Sequence, residues 1–320
     1  IDVNSLYGVI IQEALTEWGE NTLYLALDTS MLWEKYCLIR LSIVYRGRAV
    51  PLIWRVIEHK SSSVSLMAYR QLLDKAYQLL PGEARIVFLA DRGFADTELM
   101  NYLSQVLQWD WRIRIKSSFL VYRKGHHQVK IGNIVLKRGQ ARCWHGVFIT
   151  KERFGAVHLA LANPRGCQER WFIVSNQPTD AATFDEYGLR FDIEENFLDD
   201  KSNGFQLESS LIRSANALSR LCFVLAIATL FLVSQGTVVV ESGKRRWVDP
   251  HWFRGSSYLK IGWKWVLRAL TVGVELIQRL RLSPLPDPEP AIASRKQARE
   301  REEEKRGLSI IFEVFAPYAT

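Results

Sequence analysis

With 320 residues, 48% of them hydrophobic and 24% charged, the chain is too long and too apolar for a disordered tail or a small disulfide scaffold. Lys and Arg outnumber Asp and Glu 42 to 34, a net charge of +8 that suits a polyanionic partner or, equally, a solvated basic surface. Cys37, Cys143, Cys167 and Cys222 lie far apart without zinc-like spacing and read as reduced cytosolic thiols, and the adjacent His126 and His127 read as loop residues. No secretory signal pattern occurs, and the longest mainly apolar run, Leu221 to Val233, is bracketed by Arg220 and Gln235 and falls short of the ~20 residues of a spanning helix, so a buried helix and no membrane is expected.

The first predicted element is a helix over Val9 to Trp18. Leu23 to Leu27 is a compact apolar run ending at Asp28, the pattern of a buried central strand. Tyr36 to Tyr45 and Ala49 to Glu58 read as two further strands with a turn at Gly47. A helical pattern from Val64 to Leu80 is stopped by Pro81-Gly82. Arg85 to Ala90 is another short strand, again ending in an aspartate, Asp91, and Gly93 permits a tight turn after it. Thr97 to Leu107 reads as helix and Trp111 to Lys116 as strand.

From residue 117 to 176 short β-prone runs alternate with Gly, His, Lys and Arg: Val129 to Leu136, Ala141 to Thr150, Val157 to Leu161 and Arg170 to Ser175, an antiparallel β insertion. Asp180 to Lys201 reads as one helix, Leu207 to Leu232 as a buried one, and Trp263 to Leu280 as an amphipathic one. Lys244-Arg245-Arg246 is a basic cluster, Pro284 to Pro290 marks a linker, and Arg295 to Arg306 is a mixed-charge helix or disordered stretch. The expected fold is α/β, an RNase H-like mixed sheet flanked by helices. It divides into a residual helical segment (1–20), a catalytic core (21–116 and 177–235), the insertion (117–176) and a basic helical C-terminal region (236–320).

An aspartate closing an apolar run is costly unless its charge is compensated, although Asp also starts turns and caps helices. The predicted helix around Glu194 adds a third carboxylate. At ~100° per residue, Tyr187, Arg190, Glu194 and Lys201 fall within about a 60° sector, a polar stripe where a core-facing side would be apolar. Phe191, Ile193, Phe197 and Leu198 supply the apolar positions; Glu195, the rival carboxylate, lies ~100° away.

The spacing Tyr187-(2)-Arg190-(3)-Glu194-(6)-Lys201 resembles the signature of a large group of bacterial insertion-sequence transposases. The LALDTS segment with Asp28 and the LADRGF segment with Asp91 resemble that group's two aspartate strands, in the right order and with the insertion in the right interval. The resemblance covers residues 20 to 235. It implies a DDE enzyme that cuts and rejoins DNA at the ends of a mobile element, in which Asp28, Asp91 and Glu194 hold two Mg²⁺ or Mn²⁺ ions. It further implies that Tyr187, Arg190 and Lys201 contact DNA phosphates. In hairpin-forming members a tryptophan before the Glu helix stacks on a flipped base; Trp171 is similarly placed, and reads equally as a core indole, with Trp144 as the weaker alternative. Double-stranded DNA and a homodimer in the DNA complex are the implied partners, in the cytoplasm of a bacterium. The group's N-terminal end-recognition region is represented only by the segment from Ile1 to Glu20. A truncated or domesticated DNA-binding relic is therefore the rival expectation.

Overall fold

The computed structural model describes residues 2–123, 125–165, 169–291 and 309–315. Cys167 and the Arg295 to Arg306 stretch lie outside these residues. In chain order the elements are α1 (Val3–Ala14), three long strands β1 (Thr22–Leu32), β2 (Tyr36–Tyr45) and β3 (Arg48–Glu58), and α2 (Leu66–Leu79). Then come β4 (Arg85–Ala90), α3 (Thr97–Gln105) and β5 (Asp110–Arg114), the strand and helix order anticipated for an RNase H-like fold. They are followed by β6 (Leu120–Tyr122), β7 (Val129–Lys130), β8 (Gln140–Ile149), β9 (Phe154–Asn163) and β10 (Trp171–Ser175). Four helices, α4 (Ala182–Gly188), α5 (Phe191–Leu198), α6 (Ala215–Glu241) and α7 (Tyr258–Val272), precede a final strand, β11 (Ser309–Val314). The protein is mixed α/β and forms two compact units, Ile1–Arg85 with Phe191–Ser294, and Ile86–Arg190 with Arg295–Thr320.

In the first unit β2 lies between β1 and β3, antiparallel to both. Successive strand residues point to opposite faces. Trp54 donates its indole N–H to the Ser219 carbonyl of α6 at 3.1 Å, and the next residue, Arg55, donates to the Ala68 carbonyl of α2 at 3.0 Å. The sheet is therefore covered by α6 on one face and α2 on the other. β2 is buried along nearly its whole length, as its continuous apolar run requires.

α6 starts at Ala215, not Leu207, because the Ser214 hydroxyl caps it by accepting from the Ala217 N–H at 3.1 Å. It is 27 residues long, beyond the apolar run that the sequence showed. By length and composition it could cross a membrane, yet two thirds of its most apolar stretch is buried inside the protein. α7 is displaced the other way, upstream of its predicted limits, running from the Ser257 cap to Gly273, which ends it at a left-handed φ of 75°. α6 and α7 cross where glycine meets backbone: a Cβ on Gly262 would overlap the Leu232 carbonyl oxygen, and one on Gly236 the Tyr258 carbonyl oxygen.

The proline-rich segment is not a free linker. Asp287 accepts from Arg254 at 2.9 Å and from the Tyr258 hydroxyl at 2.5 Å, and Glu289 pairs with Arg245 at 2.5 Å. These bonds strap it to the first unit, with acids between the prolines supplying the attachment.

The second unit carries the strand order β4-β5-β10-β9-β8-β6-β7. β4 and β5 are parallel, while β10 joins β5 antiparallel, so the predicted insertion extends the sheet. The Val129 to Leu136 run gives only the two-residue β7 and a 3-10 turn at Ile131–Asn133. The unanticipated β11 adds parallel to β8, where Glu313 accepts from the Trp144 indole at 2.9 Å. Ala141, Ala160 and Ala162 present small side chains that leave room for Phe184 and Tyr187 of α4.

Two predictions follow from this packing. Gly262→Ala and Gly236→Ala should each lower the melting temperature, as overpacking at a close crossing costs about 1–3 kcal/mol, while Gly82→Ala, where an added Cβ meets open space, leaves it unchanged. Burial, with repulsion from His145 and Arg112, pulls the His158 imidazole down to about 4. The native state thus holds His158 neutral while the unfolded chain protonates near pH 6.5, so this contribution is full above ~6.5 and lost as pH falls toward 4. His158→Gln should flatten the fall in melting temperature between about pH 7 and 4.

Candidate active site

The residues singled out by the sequence divide between the two units. Asp28 and Glu194 lie in the first, with Lys201; Asp91, Trp171, Tyr187 and Arg190 lie in the second.

Asp28 is not at a strand end. It sits within the 11-residue β1, because Thr29 to Leu32 continue the pairing with β2. Its Oδ1 accepts the Thr29 N–H at 2.7 Å, and its side chain is half-buried. Burial and then the Asp28 charge push the Cys37 thiol up to about 11. Directly opposite Asp28 on β2 is Arg40. Cross-strand partners share a face, and Arg40 shows what covers that face. Its guanidinium, fully buried, donates to Asn196 Oδ1 at 2.8 Å and Asp200 Oδ2 at 2.5 Å, and lies 5.1 Å from the Phe197 ring centre. α5 thus covers the Asp28 face, with Ile193, Asn196 and Phe197 inward and Glu194 exposed. Arg48 of β3 holds the same helix from outside through Asp199 at 3.1 Å and Glu195 at 3.6 Å. Glu195, the rival carboxylate, is thereby engaged in an ion pair.

The helix predicted over Asp180 to Lys201 is broken. α4 ends at Gly188, a poor helix former, and the Arg190 N–H bonds the Tyr187 carbonyl in a tight turn before α5 begins. After Leu198 the backbone widens into a π-type turn, Asp199–Asn203. The four signature residues therefore do not share one helical stripe. Lys201, in the widened turn, donates to the Met31 carbonyl at 2.8 Å and pairs with Glu208 at 3.4 Å.

In the second unit Asp91 caps the 3-10 turn Arg92–Phe94, accepting from the Gly93 N–H at 2.8 Å. Tyr187 is fully buried in the alanine-lined core, 5.6 Å edge-on from the half-buried Trp171. The Arg190 guanidinium is 5.9 Å from the Tyr187 ring and itself buried. Burial raises the Tyr187 phenol, against the pull of Arg190 and Arg114; Asp91 is close enough to add to the rise. Trp144 is almost wholly buried, with Arg123 4.3 Å from its ring centre.

Residues that sequence reasoning passed over do much of the positioning. Arg112 of β5 pairs with Glu186 of α4 at 2.9 Å and donates to the Ser175 hydroxyl at 2.8 Å. Arg114, two residues on and on the same face, reaches Glu169 at 2.7 Å, and Arg92 meets that same carboxylate at 3.4 Å. The alternation Arg112-Ile113-Arg114 was the available signal. No group of three His, Cys, Asp or Glu side chains placed to hold a metal ion occurs among the described residues. Taken singly, the donors suit a hard divalent cation: Asp28 and Glu194 are carboxylates on packed elements of the first unit, and Asp91 is a carboxylate in a fixed turn of the second.

Residues 34–231 match the family model described as a transposase DDE domain. The chain belongs to that family. The match holds every singled-out residue except Asp28, which lies just before its start. No curated protein matches the chain. Among solved structures, the chain is similar to a piggyBac transposase in a cryo-EM synaptic complex with hairpin DNA, at 12% identity and a TM-score of 0.43. The alignment covers 88% of this chain and 61% of that one, so the DDE protein spans under two thirds of the transposase's length.

Arg40→Ala should destabilise the fold by about 3–5 kcal/mol in chemical denaturation, since it strands the buried Asp200. Arg40→Met combined with Asp200→Leu should recover most of that loss, because it removes both charges together.

Proposed function

We propose that the protein is a DNA transposase acting by metal-dependent phosphoryl transfer, with Asp28, Asp91 and Glu194 as the metal-ligating carboxylates. The observation that carries this reading is membership of the DDE domain family together with the placement of Asp28 under α5, the helix that bears Glu194. Two Mg²⁺ or Mn²⁺ ions bound by these oxygens would activate the attacking oxygen and stabilise the leaving one. The chain's own contribution is rigidity. Asp28 lies inside a paired strand, Asp91 is fixed by its turn, and Arg40 and Arg48 hold α5 so that Glu194 keeps one orientation.

DNA is the proposed partner, with two copies assembling on element ends. Lys201 joins the π-type turn to the Met31 carbonyl, three residues beyond Asp28. In this reading it both steadies β1 and brings positive charge to the phosphate side, while Arg190 does the latter from beside Tyr187. Trp171, half-buried and in contact with Tyr187, is proposed to take a flipped base during hairpin formation. A DNA-binding relic is the second reading.

Two assays test these proposals. Cleavage of a cognate element end should require Mg²⁺ or Mn²⁺, and Asp28→Asn should abolish it while retaining most DNA affinity, because affinity rests on phosphate contacts. Cleavage that survives chelation or the Asn substitution refutes the carboxylate assignment; an inert but DNA-binding wild type supports the relic. Trp171→Ala, with folding verified by thermal melting, should slow hairpin closure on a pre-nicked end more than the first nick. Equal wild-type rates for both steps return Trp171 to a packing role.

A further inference from the structure

Beyond the stretch that matches the family, the segment from Ser242 to Gly273 carries seven Lys or Arg and a single acid, Asp249. Asp249 is buried against Arg245, and the buried Arg245 and Arg254 are further paired with Glu289 and Asp287. Those charges cancel inside the first unit. The other five cations, Lys244, Arg246, Lys260, Lys264 and Arg268, lie at the surface or only partly covered.

Lys260, Lys264 and Arg268 follow at i, i+4 and i+8 along α7, one stripe with a step of about 6 Å. Lys260 is also within electrostatic reach of Asp199. At the end of the stripe stands Trp247, with the Arg268 guanidinium 5.4 Å from its ring centre and the buried Trp265 6.0 Å away at an interplanar angle of 32°. Trp247 is held on these sides yet 56% exposed. A large indole fixed in place with its remaining surface in water, beside a line of cations in a segment whose single acid is buried, has the two elements of a single-strand platform: phosphate contacts and a stacking face.

We propose that this surface binds single-stranded DNA, the α7 stripe taking successive phosphates and Trp247 stacking on a base. The proposal rests on the transposase reading only for the choice of DNA as the polyanion. An anionic lipid surface also draws basic and aromatic side chains; the three cations form a line, the arrangement that successive phosphates of one strand require, and the vesicle arm of the test separates the two.

The test uses the full chain in chelator, so that no result depends on the carboxylates. Anisotropy titrations compare a labelled oligothymidylate of about 20 nucleotides with a duplex of equal length over a salt series. Trp247→Ala should weaken the single strand about tenfold and the duplex far less, and Trp247→Phe should restore most of the loss. Replacing Lys260, Lys264 and Arg268 with Gln should reduce the slope of log affinity against log salt by about 2, from ~0.7 per phosphate contact. Lys264→Gln alone, at an exposed position, gives a partial change should the triple variant melt early. Wild-type affinity and slope in the folded variants overturn the proposal. So do equal losses on single strand and duplex for Trp247→Ala, or substitutions that release the protein from phosphatidylglycerol vesicles without affecting oligonucleotide binding. Asp28→Asn should bind the oligothymidylate as wild type does, so its loss of cleavage reports on the carboxylates and not on this surface.

Discussion

The first unit depends on one buried cation. Arg40 lies in the middle of β2, has no exposed surface and donates to Asn196 and Asp200 at opposite ends of a single helical turn. Burial alone would pull its guanidinium down, but Asp200 and Cys222 beside it outweigh that. A charge in this position strongly penalises any arrangement that leaves it unpaired. An apolar contact between β2 and α5 would allow the helix to slide or rotate by part of a turn. The guanidinium allows neither, because its donors have fixed directions. Its value is register: α5 has one way to lie on the strand opposite Asp28.

The second unit uses the same device. Arg112 of β5 reaches Glu186 of α4 as Arg40 of β2 reaches Asp200 beyond α5. Each half of the broken signature helix is thus fastened within its own unit by a strand arginine. This explains why the break is tolerated. A continuous helix would fix Glu194 relative to Tyr187 through the backbone; here each segment is oriented from the strand beneath it. The π-type turn then sets Lys201 against the end of β1. The signature spacing defines positions along the chain, while the strand arginines and the two helix irregularities define where those positions point.

The parts legible in the sequence are those whose causes are local. Tyr36–Tyr45 and Arg85–Ala90 are strands with the limits read from their apolar runs, because turns or charged residues end them on both sides. Asp28 was misplaced at a strand end because the polar Thr29-Ser30 pair resembles a turn; pairing with Leu38 and Ile39 overrides that preference. The limits of α6 and α7 were shifted because the periodic pattern starts and stops less sharply than the Ser214, Ser257 and Gly273 caps. Arg40 and Arg112 were invisible as positioning residues: a lone arginine in an apolar strand is recognisable only with its partner, and those partners are 160 and 74 positions away. β11 was missed for the same reason, since its pairing with Gln140 to His145 is wholly non-local. The prolines alone imply a linker, although Asp287 and Glu289 between them decide the segment's position.

This distribution of arginines changes what the net charge of +8 means. Arg40, Arg112, Arg245 and Arg254 are buried and answered by carboxylates nearby, so they add to the count of basic residues without adding to the field outside. Burial removes cations and anions in pairs and leaves the net surplus unchanged, but it concentrates that surplus on the cations that remain exposed. The outward face of α7 is one place where they gather, at helical spacing and with the exposed Trp247 beside them. A polyanion approaching the first unit therefore meets a patterned charge, and it is the pattern more than the total that can distinguish one nucleic-acid shape from another.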